Sequence, residues 1–254
     1  MGIAEGRSRL FETIEGVLRH ATGHLAMLDS RLRGTIVSCQ APADSPLHDA
    51  YVIAAMAQAS VLRGAVTVRI DSPEHIRAVR DRLPDTPIIG LWKQVLPDSE
   101  VYITPQFHHA RSVAEAGADI IAIDATLRPR PGGERFSDIA KRVREELGKR
   151  VMADIDSIAA AIAAAEAGVD IIGTTLYGYT PQTQHLKPPG FELLAEMVRR
   201  LDGFLVCEGG IASPDMAERA IAIGADAVVV GTAITGIDIL VDRYCTRVDA
   251  ARRS

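Results

Sequence analysis

Three stretches of this chain repeat one unit: a helix end, a glycine, an aspartate two residues later, and a β-branched run. Glu115-Ala-Gly-Ala-Asp-Ile-Ile-Ala-Ile123 and Glu166-Ala-Gly-Val-Asp-Ile-Ile-Gly-Thr174 match closely, and Ile223-Gly-Ala-Asp-Ala-Val-Val-Val230 is a weaker third copy. Self-similarity of this kind marks stacked βα units of about 30 residues each. Apolar runs at 35–39, 65–70, 87–92, 119–124, 151–155, 170–175, 204–207 and 226–230 make eight candidate strands. They lack the alternation of a half-exposed sheet, as parallel strands covered on both faces do. Helical patterns over 50–63, 73–83, 106–116, 137–147, 157–167 and 214–223 lie between them. Gly117, Gly148, Gly168 and Gly224 follow four of these patterns, suiting the left-handed position past a helix end. Ser137, Ser157 and Ser213 are expected N-caps, and Pro214 falls at a first helical position.

Eight βα units close a barrel. The expected fold class is α/β, a TIM (β/α)8 barrel forming one domain over residues 1–254, with residues 1–33 as an N-terminal helical extension. The chain's 254 residues suit one such barrel. An open doubly wound sheet is the alternative, but no G-x-G-x-x-G follows the first strand. Leu10, Phe11, Ile14, Val17, Leu18, Leu25 and Leu28 recur at helical spacing in the extension. Such a face suits packing on the barrel floor or on a second subunit, and a homodimer is expected.

A net charge of −5 and a pI near 5.8 point away from nucleic acid or an anionic membrane as partner. No apolar run approaches the roughly 18 residues of a membrane span. Residues 1–7 lack a signal-peptide pattern. Three scattered cysteines, Cys39, Cys207 and Cys245, suit a reducing cytoplasm, buried as small apolar groups. None of the seven histidines has a second ligand at zinc-type spacing, and His108-His109 reads as surface or helix cap. No metal and no cofactor are expected.

Barrel enzymes gather their chemistry at the C-terminal ends of the strands. Those ends carry Gln40, Arg69, Lys93, Asp124, Asp154, Thr174 with Thr175, Glu208, and Gly231 with Thr232. So many ionisable groups at one mouth would be a poor choice for stability alone, because unpaired buried charge is expensive. Asp124 and Asp154 have a purely structural alternative, pairing with Arg69 or Arg128. Lys93 and Glu208 have one too, a buried salt bridge. Asp119, Asp170 and Asp226 fall at strand starts, on the stability face. Loops after strands 7 and 8 commonly hold phosphate on backbone N–H groups, which marks Gly209, Gly210, Gly231 and Thr232.

Several segments, taken in order, resemble the N-acetylmannosamine-6-phosphate 2-epimerases. They are Ser38-Cys-Gln-Ala41, Pro87-Ile-Ile-Gly-Leu-Trp-Lys93, Tyr102-Ile-Thr-Pro105, Asp124-Ala-Thr-Leu-Arg-Pro-Arg-Pro131, Met152-Ala-Asp-Ile155, Gly173-Thr-Thr-Leu-Tyr-Gly-Tyr-Thr180, Glu208-Gly209 and Gly231-Thr-Ala-Ile-Thr235. The resemblance runs from about residue 34 to 238. It implies a cofactor-free barrel enzyme of sialic acid breakdown that interconverts N-acetylmannosamine 6-phosphate and N-acetylglucosamine 6-phosphate. It places the catalytic lysine at Lys93 and the catalytic glutamate at Glu208, with Arg69, Asp154 and Gln40 in support. Asp124, Arg128 and Thr175 join the expected substrate-binding set. The chain departs from the family pattern at Gly210 and Gly236, where arginine is usual, and at Tyr177, where a small residue is usual. A phosphate grip here then rests on backbone N–H groups, Thr232, Ser213 and the helix starting at Pro214.

Epimerisation at C2 of an open-chain 2-acetamido sugar needs a base, a donor on the opposite face, and support for the enolate oxygen. A lysine serves as base once its pKa falls towards neutrality, and an apolar setting raises a glutamate so that it can donate. Two rivals differ in class. A Schiff-base aldolase would use Lys93 as nucleophile, and borohydride would trap substrate on it. A non-catalytic phosphosugar-binding protein would bind ligand without exchanging the C2 proton.

Overall fold

The computed structural model describes residues 30–253 apart from residue 98. The chain divides into two units, Met1–Arg33 and Gly34–Ser254. The helices expected between residues 10 and 28 lie outside the described residues. The second unit is a closed barrel of eight parallel strands: β1 (Gly34–Cys39), β2 (Thr67–Asp71), β3 (Ile88–Leu91), β4 (Ile120–Asp124), β5 (Arg150–Asp154), β6 (Ile171–Gly173), β7 (Phe204–Glu208) and β8 (Ala227–Val230). Each pairs with its neighbours in sequence, and β1 closes on β8 with Gly34 opposite Ala227 and Val37 opposite Val230. The expected TIM barrel is the observed fold. The strands are buried almost throughout, which is why their sequences read as continuous β-branched runs.

Helices α1 (Ala50–Leu62), α2 (Pro73–Arg82), α3 (Phe107–Glu115), α4 (Phe136–Leu147), α5 (Ile158–Glu166), α6 (Phe191–Arg200) and α7 (Pro214–Ile223) follow β1 to β7 in turn. After β8 come a single turn, α8 (Thr232–Thr235), and a long helix, α9 (Ile237–Arg253). The helix α6 went unread in the sequence, although Leu193, Leu194 and Met197 repeat at helical spacing and are buried. A helical pattern is expected after Thr232, but its division into α8 and α9 was not read. Ser157 and Ser213 cap α5 and α7, each accepting the N–H three residues on at 3.3 Å. Ser137 does not cap α4. The helix begins one residue earlier with Arg135 as its boundary, so Ser137 sits inside the first turn.

The repeated aspartates explain the repeat. Asp119 accepts the Ile88 N–H on Oδ2 at 2.9 Å and returns its own N–H to the Ile88 carbonyl at 3.0 Å. Asp170 does the same with Val151, at 2.9 and 3.1 Å, and Asp226 with Leu205, at 2.7 and 2.8 Å. These reciprocal clamps sit at the starts of β4, β6 and β8. Each satisfies an N–H in the first two residues of the strand before it. The preceding glycine has φ between +70° and +121° in all three copies, a turn that disfavours any side chain. The three aspartates therefore belong to the N-terminal rim, away from the strand ends that carry the chemistry.

Candidate active site

At the C-terminal rim the strand ends surround a cavity of about 690 Å³. Gln40, Arg69, Lys93, Thr175, Glu208, Gly209, Gly210, Gly231 and Thr232 all line it. Lys93 follows β3 and Glu208 ends β7, four strands apart in a ring of eight, so they enter from opposite sides of the mouth. They do not bond to one another. Each is held by a different set of partners.

Arg69 is the buried hub, at 1% exposure. It leaves β2 and crosses the barrel interior. Its Nη2 meets Asp154 Oδ2 at 2.5 Å and its Nη1 donates to Asp154 Oδ1 at 3.2 Å, while Nε lies 3.3 Å from Glu208 Oε1. Burial works to lower the Arg69 pKa, but the two carboxylates outweigh it and hold the guanidinium charged. One cation thus serves two acids, and Asp154 is fully buried. Glu208 absorbs the imbalance. Burial raises its pKa, Arg69 pulls it down, and the like charge of Asp154 pushes it up again, to about 7. Thr175 Oγ1 lies 2.6 Å from Asp154 Oδ1 and 3.2 Å from Glu208 Oε2. A hydroxyl has one hydrogen, so with Asp154 accepting it the longer contact is filled when Glu208 is protonated and donates. The Glu208 backbone is fixed by Thr174, whose Oγ1 donates to its carbonyl at 2.9 Å and accepts its N–H at 3.1 Å.

Lys93 is held from β1 and β2. Its N–H donates to Asp71 Oδ1 at 2.9 Å, and its Nζ stands 3.8 Å from Asp71 Oδ2. The Nζ also donates to Gln40 Oε1, while Gln40 Nε2 donates to Ser38 Oγ at 2.9 Å. Both ends of the Gln40 amide are engaged, so its oxygen faces the lysine. An isolated antiparallel bridge to Ile103 pins the Lys93 backbone. With its side chain 44% exposed, the amine is open to the cavity.

Asp124 and Arg128, read in the sequence as substrate-binding, do not line this cavity. They bond each other at 2.7 Å, both buried, with Thr126 bridging them and Arg128 Nη1 reaching the Glu100 carbonyl. Asp154 also stands back from the cavity and acts on it through Arg69 and Thr175. His109 is buried edge-on to Trp92 at 5.4 Å, rather than on the surface as its sequence position suggested. Cys39 and Cys207 are buried as expected, but Cys245 is exposed. Among the described residues no group of three His, Cys, Asp or Glu side chains is placed to hold a metal ion. The sequence reading missed Asp71, whose position two residues beyond Arg69 on one strand was the available signal. It also missed Tyr102, Tyr179 and Arg243 as cavity residues.

Residues 53–250 match the family described as "Putative N-acetylmannosamine-6-phosphate epimerase". The curated "Putative N-acetylmannosamine-6-phosphate 2-epimerase" of Synechococcus elongatus is 62% identical over 218 residues, covering 85% of this chain and 94% of that one. This chain belongs to the N-acetylmannosamine-6-phosphate 2-epimerase family. A relative of the same description from Cutibacterium acnes is 43% identical, covering 82% of this chain and 91% of its own. The solved N-acetylmannosamine-6-phosphate 2-epimerase from Clostridium perfringens superposes with a TM-score of 0.82 at 34% identity, over 86% of this chain and 95% of that one.

At two of the three positions read in the sequence as departures from the family pattern, the backbone leaves no room for a side chain. A Cβ on Gly210 would fall 2.6 Å from Pro188 Cβ and 2.9 Å from its carbonyl carbon, and Gly210 has φ +72°. A Cβ on Gly236 would fall 2.8 Å from Thr232 Cα and 2.9 Å from its carbonyl oxygen. Neither position accepts a side chain on this backbone. Tyr177 lies against Gly190, where an added Cβ would meet its ring at 2.9 Å, and it does not line the cavity.

Among the described residues no helix is long and apolar enough to cross a membrane.

Proposed function

We propose that this chain interconverts N-acetylmannosamine 6-phosphate and N-acetylglucosamine 6-phosphate by moving protons at C2, without a cofactor, in the breakdown of sialic acid and related amino sugars. The observation that carries the reading is the placement of Lys93 and Glu208 on opposite sides of one sugar-sized cavity. Inversion at carbon needs the proton to leave one face and return to the other, which two groups entering from opposite strands can do. Lys93, in its neutral form, takes the C2 proton of the open-chain aldehyde. The C–H electron pair forms the C1–C2 double bond, and the carbonyl pair moves onto O1. Glu208, protonated, returns a proton to C2 from the other side, and the carbonyl re-forms. In the reverse direction the two exchange roles. The guanidinium of Arg69 supplies positive charge to the cavity, Gln40 orients the Lys93 amine, and Asp154 positions Arg69 and Thr175. Gly209, Gly210, Gly231 and Thr232 face the anionic end of the sugar.

Turnover in D2O tests the proposal. Deuterium at C2 of the product is expected, and epimerisation that retains the original hydrogen overturns it. Lys93→Ala should lose exchange by at least about a hundredfold with the fold intact.

The same reading places the enzyme in the cytoplasm and makes it a homodimer. Support for the dimer comes from α9, on which Ile237, Val241, Tyr244 and Val248 recur at spacings of four, three and four residues and are all more than half exposed. A stripe of this kind on a helix with no buried residue suits a second copy of the chain.

A further inference from the structure

We propose that Arg243, carried by α9, recognises the phosphate of the substrate and sets the preference for a phosphorylated over a neutral sugar. This rests on the proposed epimerase reading and adds a residue that no part of that reading uses.

Among the described residues, the cations that line the cavity are Arg69, Lys93 and Arg243. Arg69 is occupied by Asp154 and Glu208, and Lys93 by Gln40 and Asp71. Arg243 makes no hydrogen bond or salt bridge among the described residues, so its full donor set is open to a ligand. The loops after β7 and β8 line the cavity with Gly209, Gly210, Gly231, Thr232 and Gly236 and carry no charged side chain there, and Gly210 and Gly236 have no room for one. Such a wall lets a bulky anion approach closely but brings no net charge. A phosphate carrying nearly two negative charges calls for a cation, and the planar guanidinium is suited to it.

The surroundings of Arg243 fit that role. The first turns of α9 form part of the cavity wall through Ile239, Leu240, Arg243 and Tyr244, next to Gly231, Thr232 and Gly236. Tyr179 links this wall to the catalytic side. Its ring lies 3.3 Å from the space a Cβ on Gly209 would take, directly after Glu208. Burial raises the pKa of the Tyr179 phenol, and the nearby Arg243 guanidinium works against that rise. Arg243 thus shares the cavity wall with the β7 and β8 loops. A sugar bound with its phosphate on Arg243 would present its other end towards the centre of the barrel.

Steady-state kinetics on N-acetylmannosamine 6-phosphate and on unphosphorylated N-acetylmannosamine test this. Arg243→Ala should raise KM for the phosphosugar about ten- to a hundredfold, the range of a lost charge-assisted contact. KM for the neutral sugar should not change, and Arg243→Lys should recover part of the loss. Arg247→Ala, which removes an equal charge one turn along the same helix but off the cavity, should leave both values alone. An unchanged phosphosugar KM in Arg243→Ala, or an equal loss on both sugars, overturns the proposal. Calorimetric titration with inorganic phosphate gives a readout independent of turnover: binding should weaken by a similar factor in Arg243→Ala. Failure of the wild type to exchange the C2 proton would retire the epimerase reading, while the titration would still decide the role of Arg243.

Discussion

At the scale of single residues, the site is organised by unequal charge. Arg69 faces two carboxylates in a closed interior, and Glu208 carries the surplus with a pKa near 7. Both directions need the Lys93–Glu208 pair to hold one proton, so kcat/KM should rise as pH passes through about 7 and Glu208 gives up its own. The profile should have the same shape for both sugars, because the ratio of their kcat/KM values is the equilibrium constant, and pH–rate profiles run in the two directions would check it. Glu208→Gln should cut turnover about 10²- to 10⁴-fold in both directions. The same shift has a cost to folding. The folded pKa lies above the ordinary 4.5, so the stabilising contribution is complete below pH 4.5 and is lost as pH rises through about 7. Glu208→Gln should therefore melt about 2–4 °C above wild type at pH 8, with the gap closing at pH 4, as calorimetry would record. These groups were legible in the sequence because a barrel strand delivers its last residues to one mouth. Asp124 and Arg128 defeated that logic by local geometry. Four residues apart on a tight turn, they close on each other through Thr126 before reaching the cavity.

At the scale of elements, the two rims of the barrel follow different rules. The N-terminal rim carries the aspartate clamps on alternate strands, and the C-terminal rim carries the chemistry. Asp170→Ala should destabilise the protein by about 1–3 kcal/mol, since the Val151 N–H would lose its acceptor, while KM stays at its wild-type value. Urea unfolding alongside steady-state kinetics would separate the two effects. The strands were legible because burial on both faces writes them as unbroken apolar runs, and the clamped copies marked where they start. Ser137 shows the limit. A serine near a helix start resembles a cap in sequence, but whether its backbone is still extended depends on how the Pro131–Gly133 turn enters the helix. The helix α9 was less legible still, because none of its residues is buried and its role depends on which wall it reaches. For that reason Arg243 could not be found by reading strand ends.

At the scale of the whole molecule, α9 holds two features together: Arg243 on the cavity and an exposed apolar stripe, with Tyr244 belonging to both. In sedimentation analysis the wild type should run as a dimer and the double variant Val241→Asp, Val248→Asp as a monomer. A wild-type monomer at micromolar concentration would overturn the dimer. The closure of the barrel bears on the site in a further way. Strand β1 meets β8 across nearly the full span of the barrel sequence, and the Thr235 hydroxyl then bonds the Ser38 carbonyl at 2.7 Å, 197 positions away. Contacts between such distant segments carry the largest loop-closure entropy and depend least on local order. Arg69, Asp154 and Glu208 lie on strands inside the sheet, whereas Gln40 and the β8 loop come together only across that seam. Arg69 on β2 nevertheless reaches Glu208 on β7 across the barrel interior, so the setting of the proton-transfer acid and the grip on the substrate both depend on closing that seam.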